Sequence, residues 1–205
     1  MNIQAVIFDF GRVISDFDLG KFIERAARFS TLSASGLKET TAQTMQMADR
    51  YETGLVTSRE FYLNVCRIAS LTMPEQDFVK AWTDIFTPKP ATLELVKRLK
   101  KRYRLGLLSN TNEWHFEFGI KPVGIFPLFD AVTLSYEVRA MKPDRRIYDD
   151  MLAKLDLPAG ACVYIDDIAE NVAAAGALGM HGIHYTTHER LIEDLAKAGV
   201  DVPPH

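Results

Sequence analysis

Short runs of consecutive apolar residues recur along the chain, and segments with helical spacing separate most of them. The first run extends from Ala5 to Phe8, and continuous runs of this length are typical of strands buried on both faces of a parallel sheet. Similar runs lie at residues 105–108, 131–134, 162–165 and 182–185. Strands that alternate with helices predict an α/β fold with a parallel sheet and right-handed crossovers.

The segments between these runs carry residues that begin and end helices. Pro90 suits the first turn of a helix over 90–101. Asp144 is a candidate N-cap for the apolar stripe that follows it. Gly179 directly follows an Ala-rich helical pattern over 170–178 and is a candidate C-cap. These residues divide the second half of the chain into regular strand and helix units.

The interval 15–88 breaks the alternation because it contains no buried strand pattern. Its amphipathic spacing instead predicts helices over 18–29, 41–51, 58–69 and 75–86. We therefore expect a helical insertion over 15–88, placed after the first strand of a core domain. That core domain comprises 1–14 and 89–205.

Composition and charge indicate an ordinary globular protein. Of 205 residues, 47% are apolar and 25% are charged, which allows a hydrophobic core. The net charge of −3 disfavours binding to nucleic acid or an acidic membrane, so we expect small-molecule partners, no nucleic acid and no membrane. The apolar runs are too short to span a membrane, and the N-terminus lacks a signal pattern. With Cys66 and Cys162 outside any motif, a cytoplasmic protein with two reduced thiols is expected.

Four polar clusters lie just after strands or strand-like runs, where ligands bind in open parallel sheets. They contain Asp9 with Gly11, Ser109 with Asn110, Lys142 before Pro143, and Asp166-Asp167 with Asn171. Taken singly, each cluster is explained equally well by turns, caps or solvated side chains. Taken together, they bring several carboxylates to one crevice, where they repel unless a cation joins them. A hard divalent ion such as Mg²⁺ fits this oxygen-rich set, and with Lys142 it favours a phosphate dianion.

The order and spacing of these clusters resemble the haloacid dehalogenase (HAD) superfamily over essentially the whole chain. The family's four motifs match Asp9, Ser109-Asn110, Lys142-Pro143 and Asp166-Asp167 with Asn171, and the insertion resembles its C1-type helical cap. The resemblance implies a Rossmann-like core in which the strand bearing Asp9 is central, between the strands that end at Ser109 and at Asp167. Asp-x-Gly-x-Val at Asp9, and the Ser109 stretch followed by His115, further resemble bacterial sugar-1-phosphate (alpha-glucose-1-phosphate) phosphatases.

The resemblance also implies catalytic roles. Asp9 attacks phosphorus and forms an aspartyl-phosphate, Ser109 hydrogen-bonds the transferring phosphoryl group, and Lys142 neutralises its charge. Asn110 and His115, together with Gly11, are expected to contact the substrate.

Metal binding follows the same correspondence. The implied ligands of Mg²⁺ are Asp9, Asp167 and the backbone carbonyl of Gly11. Asp166 and Asn171 are expected to support this site without reacting themselves.

Gly11 is a departure from the family pattern. Most phosphatases of the family have a second aspartate there, which protonates the leaving group and later activates water. General acid and base catalysis is worth about 100- to 10,000-fold. Its absence predicts slower turnover and a rate that depends steeply on the acidity of the leaving group.

The favoured function is a Mg²⁺-dependent phosphatase acting on a small phosphorylated metabolite, with a sugar phosphate as the first candidate. A 2-haloacid dehalogenase is an alternative, because its motif also lacks the second aspartate. It needs no metal, however, and gains nothing from Asp166-Asp167 beside its nucleophile. The other alternative is a catalytically weakened HAD-fold binding protein, which has no need of the nucleophile Asp9.

Overall fold

The computed structural model describes residues 2–203, and a parallel sheet forms its centre. The strands in chain order are β1 (Ala5–Phe8), β2 (Ser15–Phe17), β3 (Phe86–Pro88), β4 (Arg104–Ser109), β5 (Ala131–Leu134), β6 (Cys162–Asp166) and β7 (His181–His184). The helices are α1 (Leu19–Ala27), α2 (Ala34–Glu52), α3 (Ser58–Ile68), α4 (Glu75–Thr83), α5 (Pro90–Lys100), α6 (Ser135–Val138), α7 (Arg145–Leu155), α8 (Ala169–Ala177) and α9 (His188–Lys197).

Five of these strands pair in the order β5-β4-β1-β6-β7, all parallel. β1 is therefore central, between β4 and β6, and the predicted α/β class with a Rossmann-like core is confirmed. Each apolar run of the sequence lies in one of these strands, with boundaries that differ by at most one or two residues. Asp144 caps α7 through a hydrogen bond from the Arg146 amide, and Gly179 follows α8 with a φ of 94°.

Helices cover both faces of the sheet because alternate residues of each strand point to opposite sides. Val6 and Phe8 pack with α5 and α9 on one face. Ala5 and Ile7 pack with α7 and α8 on the other. This double burial explains why the central strands have continuous apolar sequences.

The helices α1 to α4 form a separate apolar cluster over the carboxyl end of the sheet. Its centre is aromatic, and Phe61, at 0% exposure, packs against the rings of Tyr51, Phe78 and Trp82. Trp114, which follows β4, joins the same cluster. We call these four helices the cap.

Two expectations for the interval 15–88 are wrong. Helices alone were expected there, but β2 and β3 form an antiparallel ribbon, so α4 ends at Thr83 rather than at Phe86. Three-residue strands with exposed positions carry too little apolar pattern to be recognised. α2 also begins at Ala34, seven residues before the predicted start, because Ser33 caps a first turn that is largely exposed.

Within residues 2–203, none of the helices combines the length and the apolar character that crossing a membrane requires.

Candidate active site

A cavity of about 640 Å³ lies between the carboxyl edge of the sheet and the cap. Nearly all the site residues expected from the sequence line it: Asp9, Gly11, Ser109, Asn110, His115, Lys142, Asp167 and Asn171. Asp166 lies directly behind them and is 0% exposed. The parallel sheet explains this convergence, because β1, β4 and β6 all end at the same edge.

Lys142 is the centre of a buried charge network. Its Nζ lies 2.7 Å from Asp9 Oδ1 and 2.7 Å from Asp166 Oδ2. The same ammonium donates to the Leu108 carbonyl at 3.2 Å, near the end of β4. All three hydrogens of the ammonium therefore have acceptors, which satisfies a charge that burial would otherwise penalise.

Asp166 is held by several donors at once. Its carboxylate accepts from the Ile168 amide at 2.8 Å and from Asn171 Nδ2 at 3.1 and 3.2 Å. Tyr164 Oη donates to the same carboxylate, in addition to Lys142. Both oxygens are thus engaged by the protein, which suits a residue that positions Lys142.

The pKa values of the three carboxyls diverge with their surroundings. Burial raises the pKa of Asp9 to about 6, and the neighbouring Asp166 adds to this rise against the effect of Lys142. Burial and the Asp166 charge also raise the pKa of Asp167. For Asp166, the opposing Lys142 ammonium and the hydrogen bonds outweigh burial and hold the pKa below its usual range.

This arrangement fits a hard cation. Asp9, Asp166 and Asp167 each place one oxygen within 4.8 Å of the others. Two cations lie beside these three carboxylates, the Lys142 ammonium and the exposed Arg12 guanidinium, whose Nε is 3.9 Å from Asp167 Oδ2. The pKa values of Asp9 and Asp167 are still raised, first by burial and then by the Asp166 charge. Oxygen donors around a negative site are what Mg²⁺ prefers. The Gly11 carbonyl accepts from the Val13 amide at 2.7 Å and retains a second lone pair.

Asn110 joins the second and third motifs. Its Oδ1 accepts from the Lys142 amide at 2.8 Å, and its Nδ2 donates to the Lys142 carbonyl at 3.1 Å. This two-point contact fixes the backbone from which Lys142 extends. Ser109 is 3% exposed and lines the cavity beside it.

His115 is buried in a network that holds it neutral. Its ring stacks on Trp82 with centroids 4.5 Å apart, and its Nε2 lies 3.0 Å from the Trp82 carbonyl. Nε2 therefore carries the proton, and Nδ1 accepts from Asn112 Nδ2 at 3.0 Å. Burial lowers the pKa of His115 to about 3. An imidazolium at this position is accordingly not available near neutral pH.

Glu52 was missed by the sequence reasoning. It is the last residue of α2 and lines the cavity from the cap side. A carboxylate in the last turn of a helix interacts unfavourably with the helix dipole, and this unfavourable placement is the sequence feature that could have marked Glu52 as functional. Asn112, 0% exposed, is a second omission, because only the fold shows that it binds Trp82 and His115 and lies beside Glu52.

The fold and the site together define a Rossmann-like hydrolase with a buried Asp–Lys–Asp network under a helical cap. A family model for haloacid dehalogenase-like hydrolases matches residues 3–179. The chain therefore belongs to this family, as the sequence predicts.

The individual relatives share about a quarter to a third of their residues with this chain over the matched regions. The D-ribitol-5-phosphate phosphatase of Bacteroides thetaiotaomicron is 25% identical over 184 residues, covering 86% of this chain and 89% of that protein. The sesquiterpene phosphatase astK of Aspergillus oryzae is 36% identical over 74 residues, covering 36% of this chain and 34% of that protein. Among solved structures, the magnesium complex of the HAD family enzyme bt-2542 from Bacteroides thetaiotaomicron superposes with a TM-score of 0.77 at 24% identity. The match covers 88% of this chain and 91% of that chain.

Proposed function

We propose that this hydrolase is a Mg²⁺-dependent phosphatase that cleaves the phosphate monoester of a small metabolite through an aspartyl-phosphate on Asp9. The observation that carries the proposal is the contact of 2.7 Å between Lys142 Nζ and Asp9 Oδ1 at the mouth of the sheet. A carboxylate held beside a buried ammonium is ready to attack a dianionic group that the same ammonium attracts.

The side chains have distinct tasks in this reaction. Asp9 attacks phosphorus, and Lys142 offsets the negative charge on the phosphoryl oxygens. Ser109 is placed to hydrogen-bond one of those oxygens. Asn110 keeps Lys142 in place by binding the Lys142 backbone. Asp166 binds the Lys142 ammonium, and Asn171 holds the Asp166 carboxylate.

Mg²⁺ is proposed to bind at Asp9, Asp167 and the Gly11 carbonyl. Asp166 is left out because the protein's own donors engage both of its oxygens. When bound, the ion supplies positive charge to the phosphoryl group. The magnesium complex of the structurally similar enzyme bt-2542 supports the choice of metal.

A sugar phosphate is the first candidate substrate. The D-ribitol-5-phosphate phosphatase, similar along most of the chain, supports a polyhydroxylated phosphate ester.

The walls of the cavity favour a second candidate, a phosphate ester with an apolar body. The cap side of the cavity is lined by Phe22, Ile23, Leu37, Met45, Leu71 and Ile85. Ile23 and Met45 remain 56% and 46% exposed, so about half of each apolar side chain is left uncovered by the described residues. A sugar has few groups that gain from such walls, whereas an isoprenoid or alkyl chain does. The partial match to a sesquiterpene phosphatase agrees with this candidate.

The basic activity is tested by phosphate release from a panel of monophosphates, with Mg²⁺ or with EDTA, beside halide release from 2-haloacids. We expect phosphate release that EDTA abolishes. Halide release that is indifferent to EDTA would instead establish the dehalogenase alternative.

The substrate candidates are separated by Ile23→Thr. If the substrate has an apolar body, this change lowers kcat/KM for an isoprenyl phosphate by roughly tenfold, the usual scale for apolar groups in a pocket, and leaves sugar phosphates unchanged. Leu63→Thr is the matched control, because Leu63 is 50% exposed and lies outside the cavity lining. Equal rates for Ile23→Thr and wild type on every ester favour the sugar phosphate.

A further inference from the structure

The end of α2 is attached firmly to the core beside the reacting groups. The Glu52 carbonyl lies 2.6 Å from Ser135 Oγ, and Thr53 Oγ1 lies 3.1 Å from Met141 Sδ, next to Lys142. Gly54 has a φ of 66° and touches the Tyr136 backbone so closely that a Cβ atom would lie 2.2 Å from its carbonyl. This part of the cap therefore holds a fixed position over the sheet edge.

The Glu52 side chain extends from this attachment into the cavity. Its carboxyl group lies beside the side chain of Asn112 and feels the charge of Lys142. Asn112 is oriented by its other contacts, since Oδ1 accepts from the His115 amide at 3.0 Å and Nδ2 faces His115 Nδ1. Asn112 has two N–H groups, so one contacts His115 and the second remains for a neighbouring acceptor.

Burial raises the pKa of Glu52 to about 7, and the neighbouring Asp49 adds to the rise. Hydrogen bonding from Asn112 and the charge of Lys142 act in the opposite direction without cancelling it. A carboxyl group that titrates near neutral pH can both give and take a proton at similar cost.

Other proton donors in the cavity are poorly suited. Among the described residues that line it, carboxyl groups are carried by Asp9, Asp49, Glu52 and Asp167. Asp9 and Asp167 belong to the proposed nucleophile and metal site, and Asp49 is exposed. His115 is neutral, with its ring proton directed at Trp82, and Gly11 has no side chain.

We propose that Glu52 is the general acid and base of this enzyme, supplied by the cap in place of the aspartate missing at Gly11. The inference rests on the proposed phosphatase function. As Asp9 forms its bond to phosphorus, the bond from phosphorus to the ester oxygen breaks, and that oxygen takes the proton from Glu52. A water molecule then attacks phosphorus, Glu52 takes its proton, and the Asp9 carboxylate is released together with inorganic phosphate.

The test compares two leaving groups in Glu52→Gln. An alkyl phosphate needs a proton donor, whereas 4-nitrophenolate leaves without one. We expect kcat/KM for the alkyl ester to fall by about 100- to 10,000-fold. With 4-nitrophenyl phosphate we expect a burst of about one equivalent of nitrophenolate, followed by slow turnover, because the aspartyl-phosphate accumulates when the base is lost.

Glu39→Gln is the matched control, since Glu39 is an exposed residue of the same helix outside the cavity lining. Gly11→Asp in the Glu52→Gln background provides a second readout. Gly11 does not have a positive φ, and an added Cβ would meet the edge of the Phe17 ring at 3.2 Å, a side chain that can shift. We expect this double variant to recover part of the alkyl-ester rate.

The outcomes separate this inference from the proposed function. A wild-type protein that releases no phosphate from any ester contradicts the phosphatase itself. An active wild type whose Glu52→Gln variant behaves like Glu39→Gln, or slows equally on both esters without a burst, overturns the role of Glu52 alone. If Glu52→Gln melts below the assay temperature, Glu52→Asp replaces it and is expected to slow the alkyl ester more than the aryl ester.

Discussion

The carboxyl groups at the two ends of the cavity, Asp166 in the core and Glu52 in the cap, have opposite pKa shifts. At the core end, Asp166 is surrounded by an ammonium and three further donor groups, and its pKa falls. At the cap end, Glu52 lies beside the Asn112 side chain, and burial together with the nearby Asp49 raises its pKa to about 7. Asp166 therefore stays ionised, whereas Glu52 titrates near neutral pH. This difference suits Asp166 to electrostatic support and Glu52 to proton transfer.

The difference also has a structural origin. The core residues follow strands of one sheet, so their backbones are fixed by neighbouring strands, as when the Asp9 amide donates to the Ile165 carbonyl at 2.9 Å. Glu52 reaches the site from an inserted helix whose own packing is the aromatic cluster of the cap. The reacting residues on the sheet and the cap residues that line the cavity therefore belong to different packing units, so a substitution in the cap can change the cavity wall without moving the reacting residues.

The largest effect is expected at the core end, from Asp9→Asn. The amide has the same shape but cannot form an acyl-phosphate, so turnover should fall by up to ~10⁶-fold, the scale seen when a hydrolase loses its nucleophile. Steady-state phosphate release and a thermal melt check this, with the exposed Asp77→Asn as control. Turnover near the wild-type rate in Asp9→Asn would exclude Asp9 as the nucleophile.

Loss of Lys142 should reveal how strongly the core end depends on pairing. Lys142→Met leaves Asp9 and Asp166 buried without their cation, and breaking a buried pair in this way typically costs about 3–5 kcal/mol of unfolding free energy. Urea unfolding at pH 8 measures the loss, and Lys101→Met at an exposed helix end is the control. Equal stability of the two variants would mean that the network contributes little.

Asp167→Ala should weaken the response to metal while leaving the nucleophile in place. Loss of an oxygen ligand is expected to raise the Mg²⁺ concentration for half-maximal activity by at least about 10- to 100-fold, the range found even for residues behind metal ligands. Titration of activity with Mg²⁺ after EDTA treatment gives the value. An unchanged Mg²⁺ dependence would remove Asp167 from the metal site.

The smallest effect concerns stability at the cap end and depends on pH. Folded Glu52 keeps its proton up to about pH 7, whereas the unfolded chain releases it near the ordinary value of 4.5. The folded state then binds more protons within this window, so Glu52 lowers stability as the pH rises through it. Glu52→Gln removes the titration and should raise the unfolding free energy at pH 8 by about 1–3 kcal/mol relative to pH 4.

Urea unfolding of wild type and variant at both pH values measures this change, with Glu39→Gln as control. If the unfolding free energies of Glu52→Gln and wild type differ by the same amount at pH 4 and pH 8, burial does not disfavour the ionised Glu52 carboxylate in the folded protein.

The sequence alone was sufficient to predict which residues meet at the core end of the cavity. Continuous apolar runs place Asp9, Ser109 and Asp166 at the ends of parallel strands, and parallel strands bring their carboxyl ends to one edge. The order of the strands follows the resemblance to the HAD superfamily, and the sheet confirms it. Local pattern and family order therefore predicted which residues would meet there.

Tertiary structure decided the rest, because burial and partners depend on contacts between distant segments. The β2–β3 ribbon forms between residues about seventy positions apart, and neither strand shows a pattern by itself. His115 was expected at the substrate, but Trp82 and Asn112 hold its ring neutral. Glu52 resembles the other glutamates of the chain until Ser135, 83 positions away, binds its carbonyl and the cap encloses its carboxyl group. Only the folded chain sets the desolvation that raises its pKa.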